Sequence, residues 1–119
     1  MSESIIKIKS FNFAVRVANL NKTLQSRNEY VISKQLLRSG TSIGANIREA
    51  LNAESTKDFI HKLSISQKEA DETMYWLELL FETEYLSEKE FKSIHSNCNE
   101  LLKILRSIII TTKKNNSKK

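Results

Sequence analysis

The sequence predicts an all-α protein folded as an antiparallel up-down-up-down four-helix bundle, and three observations predict it. The 119 residues include no proline and only two glycines, which leaves almost no turn chemistry for a many-stranded sheet. Four segments carry apolar residues at helical spacing. The polar stretches between them are about three to five residues long, and connections that short make consecutive helices antiparallel neighbours.

The first helix is expected over about Ser4 to Gln25, where Ile6, Phe13, Val17, Leu20 and Leu24 form one stripe ahead of the polar turn Ser26-Arg27-Asn28-Glu29. The second, about Tyr30 to Ala53, sets Ile32, Leu36, Gly40, Ile43, Ile47, Ala50 and Leu51 on one face. Ser55-Thr56-Lys57-Asp58 resembles a capping box and starts the third helix, whose seam is Phe59, Leu63, Ser66, Ala70, Thr73, Leu77 and Leu80. Ser87-Glu88-Lys89-Glu90 repeats that signature before the fourth, with Phe91, Ile94, Cys98, Leu101, Leu105, Ile108 and Thr112 in phase. One bundle domain over residues 1–112 follows, and the tail 113–119, KKNNSKK, is expected to be disordered because it holds no apolar residue.

Gly40-Thr41-Ser42-Ile43-Gly44 matches the G-x-S-x-G pattern of a hydrolase nucleophile elbow. That chemistry needs a strand feeding the serine into a strained turn, and here Leu36 and Leu37 continue a helical phase instead. Histidine occurs only at positions 61 and 95. His95 and Cys98 are spaced as two ligands on one helix face, but a zinc site needs three or four. Asp71, Glu72, Glu78, Glu82 and Glu84 lack the paired Glu-x-x-His pattern of di-iron bundles. No phosphate-binding glycine loop is present. Neither an enzyme nor a cofactor or metal is expected. Cys98 is the lone cysteine, MSESIIKIKS lacks the apolar run of a signal peptide, and no stretch approaches a membrane span, so a reducing cytoplasmic setting is expected.

Two glycines within one helix cost about 1 kcal/mol each relative to alanine, so Gly40 and Gly44 are expected to serve close helix packing, with the Asn46 amide bonding across to a neighbouring helix. Tyr75, Trp76 and Leu79 project off the core stripe of the third helix and form a candidate oligomer interface. The net charge of +5 is unevenly spread: residues 5–52 hold eight Lys/Arg against two Asp/Glu, or +6, and residues 53–112 hold seven against eleven, or −4. A basic first hairpin meeting the acidic second hairpin of another copy would be a head-to-tail contact, the kind that closes rings.

SKQLLRSGTSIGANIREA at Ser33 to Ala50, followed by KDFIHKLSISQKEADETMYWLELL at Lys57 to Leu80, closely resembles the bacterial four-helix bundle proteins associated with 23S rRNA intervening sequences. That family includes the accessory protein of diversity-generating retroelements. The resemblance runs from about Phe11 to Ile110 and implies a non-enzymatic bundle assembled into a homopentameric ring with a basic surface. Carried onto this chain, that surface is Arg16, Lys22, Lys34, Arg38 and Arg48, interrupted by Glu29 and Glu49. The expected function is RNA or nucleic-acid binding, or an adaptor role beside a reverse transcriptase. The alternative is a protein-interaction scaffold without nucleic-acid binding.

Overall fold

The computed structural model describes residues 2–117, in four helices: α1 (Ser2–Ser26), α2 (Ile32–Leu51), α3 (Thr56–Glu82) and α4 (Glu88–Ser117). Each helix packs on its chain neighbours, and α4 closes on α1 over a shorter contact; among the described residues neither diagonal pair approaches closely. The result is the expected all-α up-down-up-down bundle, a rod of 53 × 21 × 20 Å.

The helix ends follow from local chemistry. Asn28 ends α1 in the left-handed region at φ 65°, which asparagine tolerates, and the Glu29 amide donates to the Leu24 carbonyl at 2.9 Å. Glu29 then turns its carboxylate onto the start of α2. It accepts from the amides of Val31, Ile32 and Ser33 at 3.2, 3.0 and 2.5 Å, satisfying donors that have no partner inside the helix. Ser55 caps α3 by accepting from the Asp58 amide at 3.0 Å. Ser87 and Glu90 form a reciprocal capping box on α4, the Glu90 amide donating to Ser87 Oγ and the Ser87 amide to Glu90 Oε1. At the other end α4 does not stop at Thr112. It runs on to Ser117 with residues 113–117 exposed, so the expectation of disorder from Lys113 is corrected for those five residues, and 118–119 lie outside the described residues. No Gly or Pro is present to end the helix, and Lys114 in its last turn suits the negative end of the dipole.

The core is the set of predicted stripes: Ile6, Phe13, Val17, Leu24, Leu36, Ile43, Ile47, Leu63, Leu77, Leu80, Leu101 and Leu105 are all buried. Phe59 and Phe91 lie half-buried at its edge. Small polar side chains cross the α2–α3 interface inside it. Thr73 Oγ1 donates to Ser39 Oγ at 2.9 Å and Ser66 Oγ to the Ile43 carbonyl at 2.8 Å, so these buried hydroxyls are satisfied.

Gly40 and Gly44 face α1. A Cβ on Gly40 would sit 2.8 and 2.9 Å from the two Cγ atoms of Val17, whereas one on Gly44 would meet the Ser10 carbonyl oxygen at 3.4 Å, ordinary contact. Asn46 does not bridge to a neighbour as expected; its amide donates to the Ser42 carbonyl at 2.9 Å within α2, because the register is already held by Ser39, Ser66 and Thr73. Ser42 Oγ bonds back to the Arg38 carbonyl at 2.7 Å.

Two predictions follow from this packing and capping. In urea denaturation, Gly40→Leu lowers stability by about 2 kcal/mol or more through overpacking, Gly44→Ala raises it by up to about 1 kcal/mol, and Ser42→Ala shifts it by less than about 0.5 kcal/mol. At the bundle's other end, Arg27 clamps Glu90 with two bonds at 3.0 and 2.8 Å while also donating to the Tyr85 carbonyl at 2.8 Å. Hydrogen bonds from Arg27 and Ser87 pull the Glu90 carboxyl down to about 2. Because the folded value is depressed, its stabilisation is complete above the ordinary carboxyl range and is lost as pH falls toward about 2. Subtracting the Glu90→Gln stability curve from that of wild type therefore gives a difference of roughly 1 kcal/mol at pH 7, allowing for solvent screening, which vanishes between about pH 5 and pH 2.

A candidate nucleic-acid and partner interface on the first hairpin

The five cations of the expected basic surface fall into two groups. Arg16 and Arg38 are engaged by neighbouring helices at the bundle surface. Arg16 contacts Asn97 Oδ1 and donates to Ser93 Oγ at 3.0 Å, bridging the seam between α1 and α4. Arg38 spans α2 to α3, donating to Glu69 at 3.1 Å and to Glu72, and its guanidinium pKa is raised, chiefly by the hydrogen bond to Glu72. Lys22, Lys34 and Arg48 are exposed and form no ion pair among the described residues. Arg48 stands over the Phe11 ring, 5.6 Å from its centroid.

Of the two glutamates expected to interrupt this surface, Glu29 is withdrawn from it, and Glu49 remains on it, exposed but paired. Glu29 is only 6% exposed, its charge consumed by the α2 amides. Glu49 pairs with Lys62 of α3 at 2.8 Å. From Ile5 through Arg48 the described residues of the first hairpin expose cations, and Glu29, the one carboxylate among them, is buried.

The charge asymmetry between the hairpins is partly discharged within the chain. Lys9 pairs with Glu100 at 3.2 Å, Arg27 with Glu90, and Arg38 with Glu69 and Glu72, each joining the basic half to the acidic half. On α3, Tyr75 is 57% exposed, but Trp76 is half-buried against the core and its indole N–H donates to Glu72 Oε2 at 2.9 Å. That bond and the one from Arg38 hold the Glu72 carboxyl below the usual carboxylate range. Leu79 is also half-buried. Of the three residues expected as an oligomer interface, Tyr75 alone stands well out.

A second apolar surface escaped the sequence reading. Ile5, Ile8, Phe11 and Val15 of α1 are 49%, 60%, 54% and 44% exposed, a ridge on the side away from the core. Its signal lies in the sequence as apolar residues spaced three, three and four apart, out of phase with the core stripe, so that α1 is apolar on two faces.

The motifs that could suggest catalysis are absorbed by the fold. Ser42 sits in mid-helix with its hydroxyl bonded to backbone. His95 lies 3.0 Å from Glu78 and against the Phe91 ring. Cys98 is buried, its Sγ 3.4 Å from the Ala70 carbonyl, and burial pushes its thiol up to about 12. Among the described residues no three of His, Cys, Asp or Glu gather as metal ligands, and no helix is long and apolar enough to cross a membrane.

The chain is similar to a crystal structure of a protein of unknown function from the S23 ribosomal protein family of Bacteroides thetaiotaomicron VPI-5482. The two are 55% identical, the match covers 92% of this chain and 98% of that one, and the TM-score is 0.90. Among curated proteins, none gives a significant match. The sequence model of the 23S rRNA-intervening sequence protein family matches residues 2–107, nearly the whole bundle, and on that match the chain belongs to this family.

Proposed function

We propose that this protein is a non-enzymatic, self-associating helical bundle of the cytoplasm, a homopentamer as the family resemblance implies, that binds structured RNA through its first hairpin. One observation carries the reading: the outer side of that hairpin presents Lys34 and Arg48, with Lys22 on the adjoining face of α1, while Glu29 is buried against the α2 amides and Glu49 is paired with Lys62. Phosphate oxygens are the complement of such a surface. Contacts of this kind depend on counterion release, so they are salt-sensitive and read sequence weakly. Arg16 and Arg38 serve the bundle, and their role is structural.

A second reading, a protein-interaction scaffold, is favoured by the exposed α1 ridge, since apolar side chains contribute little to phosphate binding.

The two readings separate in an anisotropy titration with a fluorescein-labelled RNA hairpin. The RNA reading predicts that affinity falls steeply between about 50 and about 200 mM salt, and that Lys34→Ala with Arg48→Ala flattens the salt slope by about two while the melting temperature holds. Arg38→Ala lowers the melting temperature instead, because it strands Glu69 and Glu72. Absence of binding at both salt concentrations, or binding indifferent to salt, contradicts the RNA reading and leaves the scaffold.

A further inference from the structure

We infer that Tyr30, with Val31 beside it, is a stacking site for an unpaired base at the head of the α2 cation stripe, so that the RNA bound here is one with a single-stranded loop. The inference rests on the RNA reading above, and it names the class of RNA.

Tyr30 is 59% and Val31 75% exposed in the turn between α1 and α2, yet the backbone around them is pinned. The Glu29 carboxylate accepts from the Val31 and Ile32 amides at 3.2 and 3.0 Å, and Ser33 Oγ donates to the Glu29 carbonyl at 2.8 Å. Asn21, buried in α1, donates from its side-chain amide to the Ser33 carbonyl at 3.0 Å and ties the start of α2 to α1. An aromatic ring presented on a backbone held this way loses little conformational freedom on contact, since only its own side-chain torsions remain to be fixed.

Lys22 follows Asn21 and Lys34 follows Ser33, so the same bond sets two exposed lysines at one level of the hairpin, next to the turn. Neither forms an ion pair among the described residues. Arg48 returns to within about 40° of Lys34 around α2 and lies about 21 Å farther along it, so the two mark a stripe that begins at Tyr30 and Val31. Cations alone would hold the phosphates of any nucleic acid. An exposed aromatic ring among them adds a platform for a base face, which loops and bulges offer and a continuous duplex, with its bases already stacked, does not. Glu29, the carboxylate nearest to Tyr30 in sequence, is buried against the α2 amides. On the other side of this end of the bundle, Glu82, Glu84 and Glu90 line a recess with Arg27, and their charge disfavours a phosphate chain there. The nucleic-acid backbone is therefore directed along α2, with the loop toward Tyr30 and the stem toward Arg48.

Two labelled RNAs test the inference by anisotropy: a stem closed by a loop of unpaired nucleotides, and a blunt duplex of the same stem without a loop. Wild type is expected to bind the looped RNA more tightly. Tyr30→Ala should weaken that binding by about five- to a hundred-fold, leave the duplex affinity within about twofold, and keep the salt slope unchanged. Tyr30→Phe, which retains the ring, should bind as wild type does. A fluorescent purine analogue placed in the loop should change its emission on binding to wild type and Tyr30→Phe but not on binding to Tyr30→Ala. Tyr30 is exposed, so circular dichroism and melting temperature should match across the three proteins. Equal wild-type affinity for the two RNAs, or a Tyr30→Ala variant that weakens both alike or neither, overturns the inference and leaves salt-sensitive RNA binding standing. No binding of either RNA by wild type overturns the RNA reading itself and this inference with it.

Discussion

The bundle depends on how closely α2 approaches α1. At Gly40 the two Cγ atoms of Val17 occupy the space a Cβ would need, and one turn on, Gly44 lies beside the Ser10 backbone. Glycine in mid-helix costs about 1 kcal/mol relative to alanine, and at Gly40 the loss is offset by interhelical contact with Val17 that a larger residue would disturb. On the adjoining part of its buried stripe α2 meets α3 through small residues, Thr73 of α3 bonding to Ser39 and Ser66 of α3 to the Ile43 carbonyl. α2 is therefore clasped on two sides, and α4 completes the core against α3 with a looser seam to α1 bridged by Arg16 and Lys9.

Charge does a second job in holding this arrangement. The basic first half and acidic second half meet first within one chain, through Lys9, Arg27 and Arg38 and their partners on α3 and α4. Exposed pairs of this kind add little stability singly, but they favour one order of helices around the bundle over its mirror arrangement. The charges left outside these pairs are more informative about function than the net charge; they include Lys7, Lys22, Lys34 and Arg48 on the first hairpin and Glu82 and Glu84 on the second.

Much of the fold was legible because long amphipathic helices announce themselves. The stripes of α2, α3 and α4 have one dominant period, and Ser55 and Ser87 cap where their spacing to Asp58 and Glu90 says they should. Gly40 was legible through its cost. The rest depends on which way a polar side chain turns, which spacing does not decide. Glu29 reads as a surface charge until its carboxylate is seen folded over the α2 amides. Asn46 bonds along its own helix, and Trp76 finds Glu72 one turn away. Of the candidate site, Lys22, Lys34 and Arg48 stand exposed without an ion pair among the described residues, while Arg16 and Arg38, alike in sequence, are drawn onto neighbouring helices. The α1 ridge is hard to read from spacing because the core stripe of the same helix dominates its periodicity.

A double-mutant cycle between Gly40 and Val17 tests the close approach of α1 and α2 most directly. Gly40→Ala in the wild-type background brings a methyl group against Val17 and should destabilise the protein. In a Val17→Ala background that space is open, and the same substitution should become neutral or stabilising by up to about 1 kcal/mol, the helix preference of alanine over glycine. An equal effect of Gly40→Ala in both backgrounds would contradict the account, because it would mean that the two helices do not meet at this point.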